Sequence, residues 1–432
     1  MNSNQKFVKT VTSTFTTYSP NSYKNNLTNF PTTPTVMDLM LTEIADPAGN
    51  GDFVEIYNAG DAAVDFTNIP WYLTAYNGMN YTNVKLAGTL AAGDVFVIAG
   101  TGSSFYSSNM IFFQKIFYQA GFHVVCLSSP TVMNFIVTAS ESGVPGDTVD
   151  DARDLYRVMR LIWEQIKTRI TVSEFYLTGY SLGATQSAFV AKLDDEKRIF
   201  NFKKICMINP AVSLYTSAKI LDGMVLKALP GGADTFDVWF KQIFRKFSEL
   251  YKIMGHQDLT HDFLYEVYRT LYRTDPPKQE NMAGMIGTAF RLSASNMLFT
   301  SDVMTNFGVI KPKNLVLGRA DSLTDYFKVS SRMSFVDYFE ELFYPYFQSE
   351  RPGLTQAALI ERSSLRSIDS YLRNNPKIML MGNADDLILT PEDLAYLKDL
   401  FGPRAKIYPS GGHCGNMQYR ANALYLIDFF KN

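Results

Sequence analysis

The stretch GTLAAGDVFVIAGTGSSF, residues 88 to 105, decides the fold, because it supports two incompatible readings. Its first half, GTLAAGD, looks like the last strand of a small β-sandwich. Its second half, VFVIAGTGSS, is a continuous apolar run feeding a glycine turn, the pattern of a strand buried on both faces of a parallel sheet. Five residues cannot readily close a sandwich and also sit inside a parallel sheet. Val95 to Ala99 are expected to pair in the parallel sheet, so that any sandwich closes without them.

Upstream of this junction the grammar is all-β. In LMLTEIA and DFVEIYNAG apolar and polar residues alternate, with Val54 and Ile56 on one face and Glu55 and Tyr57 on the other. Asp46-Pro47, Asn50-Gly51 and Ala59-Gly60-Asp61 supply the turns. Residues 1 to 36, rich in Thr, Ser and Asn and broken at Pro20 and Pro31, read as an extended lead.

Downstream, strand and helix alternate. SNMIFFQKIFYQAGF reads as a helix ended by Gly121, HVVCLSSP as a strand, and 151 to 168 as an amphipathic helix with Leu155, Val158, Met159, Ile162 and Ile166 at helical spacing. EFYLTGYS and KKICMINPAV are further strands, separated by a helix over 183 to 194. Residues 213 to 375 interrupt the rhythm with aromatic-rich helices and one weak strand candidate, NLVLG; such an insertion would cap the sheet. KIMLMG, AKIYPSG and a closing helix from about 417 resume it. This order predicts an α/β fold with a doubly wound, mostly parallel sheet.

Composition bounds the function. The 432 residues are 46% hydrophobic and 14% aromatic, enough for a large core, and a formal charge of −2 offers no electrostatic case for nucleic acid. Cys126, Cys206 and Cys414 are odd in number and far apart, so no disulfide framework or cysteine metal pair is expected. No run of 18 apolar residues offers a transmembrane segment. The N-terminal residues lack an apolar signal region. Cytoplasmic placement is the default expectation, and periplasmic placement would follow if a signal had been removed.

The chemistry concentrates in GYSLG, residues 179 to 183. A bare GxSxG arises by chance about once in seven chains of this length. Here an apolar strand precedes it and a helix follows, the context in which the serine sits on a strained corner as a nucleophile. A serine hydroxyl needs a base. Of the four histidines, His123 opens an apolar strand and reads as structural, and His256 and His261 are five apart, on different faces of a helix. His413 lies in YPSGGHCGN after a terminal strand, among glycines that let its ring reach across the sheet edge. The imidazole needs an orienting carboxylate, and GNADDLIL offers Asp385 and Asp386. The apolar run after Asp386 favours it; counting three residues on from Gly382 selects Asp385. Oxyanion donors would be the N–H of Leu182 and that of Thr101 or Gly102. The glycines of GTGSS do not make a dinucleotide fingerprint, because Phe105 occupies the third glycine position.

IAGTG, GYSLGA, GNADD and GGHCG, in this order, resemble the α/β-hydrolase superfamily over about 95 to 432. The resemblance implies Ser181 as nucleophile, His413 as acid and base, Asp386 or Asp385 as its partner, and Leu182 with Thr101 as oxyanion donors. It implies no cofactor and a small-molecule or lipid-like ester substrate, with the insertion lining an acyl or alcohol pocket. LMLTEIADP, DFVEIYNAGDAAVDF and LAGTLAAGDVFVIAG resemble the lamin-tail domain, an immunoglobulin-like β-sandwich, over 37 to 98. That implies a binding or anchoring module with a protein partner and no catalytic residues. Such hydrolases carry two antiparallel strands ahead of the oxyanion-loop strand. Here the lamin-tail-like segment stands in their place, so the sheet either lacks them or draws on residues 1 to 36. Two other classes compete with a serine hydrolase: a non-enzymatic anchoring protein, and a hydrolase relative that binds ligand without turnover.

Overall fold

The computed structural model describes five short strands before residue 86, and residues 94–432 except Thr101, 230–234, 237, 240, 243–244 and 246–278. The early strands are β1 (Lys6–Val8), β2 (Leu39–Ile44), β3 (Val54–Asn58), β4 (Tyr72–Tyr76) and β5 (Tyr81–Lys85). β2 pairs with β3, and β4 with both β1 and β5, all antiparallel. Lys6–Val8 therefore forms a strand within the stretch read as an extended lead. The remainder of the lamin-tail-like segment lies outside the described residues. The chain divides into two compact units, residues 1–92 with 164–172, and residues 93–163 with 173–432.

The second unit is built on six parallel strands: β6 (Asp94–Ile98), β7 (His123–Leu127), β8 (Tyr176–Tyr180), β9 (Lys204–Ile208), β10 (Ile378–Asn383) and β11 (Ala405–Tyr408). Their order is β11-β10-β9-β8-β6-β7. The opening question is settled by register: Val95 to Ile98 face Val124 to Leu127 of β7, and Phe96 to Ile98 face Leu177 to Gly179 of β8, all in parallel. Among the described residues no strand pairs with the outer edge of β7.

Burial explains why an apolar run was needed here. Phe96 and Ile98 point into one core with Phe135 of helix α2 (Met133–Ala139), Leu155 and Met159 of α3 (Thr148–Ile166) and Ala184 and Phe189 of α4 (Leu182–Lys197). Val95, Val97 and Ala99 point into the other, against Met110, Phe113 and Phe117 of α1 (Ser108–Gln119). Phe96 sits in an aromatic group, its ring 5.2 Å from that of Phe200 and 5.8 Å from that of Phe175. Each such buried ring contributes about 1.5–3 kcal/mol, and a polar residue at any of these positions would face a dry core.

Between β9 and β10 lies the insertion, which includes α5 (Leu214–Ala228), the long α6 (Gln279–Thr305) and a series of shorter helices up to Asn374. It is tied to the sheet unit by charge as well as packing. Buried Asp147, at the start of α3, accepts from Arg351 and Arg362 at 2.7 Å each. Asp150 meets the same two guanidiniums. Removing one partner from such a buried group costs more than the pair contributes. NLVLG does not form a strand: it is irregular, with Val316 87% exposed. Apolar, β-branched character cannot hold a strand where no ladder partner lies alongside. α7 (Pro391–Phe401) and α8 (Arg420–Lys431) complete the layers.

Candidate active site

In a doubly wound sheet the crevice opens where the strand order reverses, beyond the carboxyl ends of the strands. Here that point lies between β6 and β8, which lead into the Gly100–Gly102 loop and Ser181. Ser181 has φ 54° and ψ −126°, a conformation that strains any residue with a side chain. Two close approaches hold it. A Cβ on Gly179 would lie 2.3 Å from the Gly183 carbonyl oxygen, and one on Gly183 would lie 2.5 Å from the Ala99 oxygen. Without side chains at 179 and 183, α4 starts flush against its own strand and β6. The Ser181 N–H donates to the Ile208 carbonyl at 2.9 Å, fixing the corner on β9.

His413 follows β11 in a glycine turn. Its Nε2 lies 2.8 Å from Ser181 Oγ, and its Nδ1 lies 3.0 and 3.1 Å from the two carboxylate oxygens of Asp386. Of the two candidate acids, Asp386 is the one that reaches the ring. Asp385 turns instead to the backbone of the histidine loop, accepting from the N–H of Gly411 and Gly412. Asp386 is itself held: it accepts from the Ile388 N–H at 3.2 Å and from Asn209 Nδ2 at 2.8 Å.

Asn209 was not singled out in the sequence. It ends the apolar run KICMI and adopts a left-handed φ of 48°, a conformation asparagine tolerates. A polar residue closing a buried strand at the carboxyl edge was the signal available.

Burial opposes the charged form of His413, while the adjacent Cys414 sulfur and the Asp386 carboxylate favour it by more, so its pKa lies well above the usual 6.5. The carboxylate in addition bonds the ring directly, through Nδ1.

Among the oxyanion candidates, Leu182 is the first residue of α4, and the first N–H groups of a helix lack an internal acceptor. The Gly102 N–H donates to Thr131 Oγ1 at 2.8 Å, so it is committed to the loop that follows β7. Thr101 lies outside the described residues. A Cβ on Gly100 would lie 3.1 Å from Ser181 Cβ, and one on Gly102 3.3 Å from Ser293 Cβ of α6, so this loop runs between the serine and the insertion.

The remaining sequence candidates fall elsewhere. His123 opens β7, and burial lowers its pKa. His256 and His261 lie outside the described residues. Burial drives the Cys126 thiol up to about 12, leaving it unreactive. Among the described residues no group of three His, Cys, Asp or Glu could hold a metal, and no helix is long and apolar enough to cross a membrane.

No protein-family model matches the chain, and no curated protein matches it in sequence. Solved structures with a related chain path include the thioesterase domain from the curacin biosynthetic pathway, at 13% identity over 84% of this chain and 100% of that one, TM-score 0.35. An esterase of Pyrococcus furiosus matches at 9% identity over 86% of this chain and 89% of that one, TM-score 0.35. Proline iminopeptidase of Mycobacterium smegmatis matches at 11% identity over 84% and 98%, TM-score 0.37. At these values the likenesses carry no argument about this chain's chemistry.

Proposed function

We propose that the chain is a serine hydrolase of the α/β-hydrolase type that cleaves an apolar carboxylic ester through an acyl-enzyme. The observation that carries this reading is the contact of His413 Nε2 with Ser181 Oγ at 2.8 Å on a strained corner, with Asp386 behind the ring at 3.0 Å. In the first half-reaction Ser181 Oγ attacks the ester carbonyl while His413 Nε2 takes its proton. The tetrahedral oxyanion is met by the N–H of Leu182. Its collapse breaks the ester bond, and the imidazolium returns the proton to the leaving alkoxide. Water then repeats the sequence on the acyl-serine, releasing acid and free enzyme. Asp386 keeps Nδ1 protonated, so that Nε2 faces the serine as an acceptor, and stabilises the imidazolium.

The choice of an apolar acyl or alcohol group rests on the apolar cluster that follows Asp386 in the chain. Leu387, Ile388 and Leu389, next to Asp386, pack with Leu221 of α5 and with Ile286 and Phe290 of α6. A panel of p-nitrophenyl esters of rising chain length, run on wild type and Ser181→Ala, tests the reading. Folded wild-type protein that neither hydrolyses any of them nor takes up a fluorophosphonate at Ser181 would refute it.

For residues 37–98 we keep the lamin-tail-like binding module as a proposal, supported by the antiparallel pairing of β2 with β3 and of β4 with β5. It would close before Val95, whose strand belongs to the parallel sheet. Capture of a partner by wild type, lost when residues 37–85 are replaced, tests it; equal capture by both would reject it.

A further inference from the structure

Asp386 is one of three residues at the end of β10 that reach the loop carrying His413. The carboxylate of exposed Asp385 accepts from the Gly412 N–H at 2.8 Å and the Gly411 N–H at 3.2 Å. Asn383, 1% exposed, donates through Nδ2 to the Gly412 carbonyl at 2.8 Å and to Asn416 Oδ1 at 3.0 Å. Asn416 returns a bond from Nδ2 to Asn383 Oδ1 at 2.7 Å and adds a weaker one to the Ser410 carbonyl at 3.3 Å. The two amides thus form a buried reciprocal pair directly beneath the turn. A Cβ on Gly411 would lie 2.4 Å from Asn416 Nδ2 and 2.7 Å from Asn383 Cγ. The pair occupies the space a side chain would need, which is why the turn carries glycine there.

This arrangement answers a mechanical problem. Gly412 and Cys414 flank the histidine with φ of 57° and 65°, and a turn with glycines at 411, 412 and 415 has much backbone freedom to lose. The His413 ring must nevertheless span Ser181 and Asp386 at once. A functional side chain has to be held within about 0.5 Å by groups that are themselves fixed. Asp386 orients the ring, but it cannot fix the backbone from which the ring projects.

We infer that Asp385 and the Asn383–Asn416 amide pair are positioning residues for His413: they clamp the 410–416 backbone so that its imidazole bridges Ser181 and Asp386. Their catalytic consequence rests on the hydrolase reading proposed above; the position of the ring does not. The clamp also separates from general stability, because Asp385 is solvent-exposed and exposed polar contacts contribute little to the fold.

The test uses the full chain as wild type, Asp385→Ala and Asp385→Asn. Alanine removes both acceptors, whereas asparagine keeps one carbonyl oxygen. Asp385→Ala is expected to lower kcat on p-nitrophenyl butyrate about 100-fold, the scale of a 1 Å misplacement. KM is expected to stay within about twofold, and the melting temperature within a few degrees. Asp385→Asn should recover about tenfold of that loss, through the one acceptor it keeps. A second readout is independent of turnover: the downfield proton resonance of the His413 Nδ1–H, assigned by its loss in His413→Gln. It should be sharp in wild type and broadened or lost in Asp385→Ala. That resonance being absent from wild type, or unchanged in Asp385→Ala, overturns the inference whatever the activity, as does a wild-type kcat in Asp385→Ala. An inactive wild type with a sharp resonance that Asp385→Ala abolishes would instead sink the hydrolase reading and leave the clamp standing.

Discussion

Ser181 Oγ and His413 Nε2 lie 2.8 Å apart across 232 residues of chain. A hydroxyl on a strained corner facing an imidazole backed by a carboxylate is an arrangement for activating a nucleophile. Ser181→Ala should therefore abolish ester hydrolysis, with a loss on the order of 10⁶ in kcat, while leaving the melting temperature within a few degrees of wild type. A variant retaining a tenth of the wild-type rate would place the chemistry elsewhere.

The His413–Asp386 bond makes the rate depend on pH in a definite direction. His413 must be neutral to accept the serine proton, and its pKa is raised, so kcat/KM should climb with pH along an acid limb centred above 6.5. Asp386→Asn removes one of the two groups that favour the imidazolium. It should shift that limb to lower pH and cut the plateau by about 10⁴. The same raised pKa stabilises the fold fully below 6.5, and the contribution fades as pH rises through the folded value. A wild-type limb centred at or below 6.5 would contradict this.

Asn209 does two things that substitution can separate. Its amide donates to Asp386 at 2.8 Å, and its backbone takes a left-handed φ. Asn209→Gly tolerates the backbone and loses the donor; Asn209→Ala loses both. Urea unfolding should find the glycine variant less stable by about 1.5–3 kcal/mol, the worth of a hydrogen bond to a charged group. The alanine variant should lose about 1 kcal/mol more. Equal stability of the two would remove the backbone from the account.

Two glycines in helices should respond oppositely to alanine. At Gly183 the new Cβ would meet the Ala99 and Ile98 carbonyl oxygens at 2.5 and 2.6 Å, backbone atoms that cannot yield alone. Gly183→Ala should cost about 1–3 kcal/mol or more and slow fluorophosphonate labelling of Ser181. At Gly223, inside α5, a Cβ meets nothing within 4 Å, and Gly223→Ala should stabilise by up to about 1 kcal/mol. Chemical denaturation measures both; a destabilised Gly223→Ala would show that α5 is packed more tightly than its surroundings indicate.

What could be read from the residues follows the range of the forces involved. Val95 to Ala99 announced their place because burial on two faces forces an unbroken apolar run, a property written locally. GYSLG and GGHCG were legible for the same reason, since their strained turns need glycine at fixed offsets. Contacts made across long stretches of chain were not. Asn209 and Asp386 are 177 residues apart, and neither motif mentions the other. Asp147 and Asp150 precede the stretch read as an amphipathic helix and carried no signal of their own, because Arg351 and Arg362 come to them from the insertion. Choosing between Asp385 and Asp386 by spacing was indecisive because both engage the histidine loop, one through its ring and one through its backbone.

The separation of Ser181 from His413 also sets a schedule. At roughly 5–20 residues per second a ribosome needs about 10 to 50 s to travel the 232 residues between them. Throughout that interval the nascent chain carries Ser181 without His413. On the hydrolase reading, the hydroxyl would stay inert toward surrounding esters until the last sheet strand and its turn have been made.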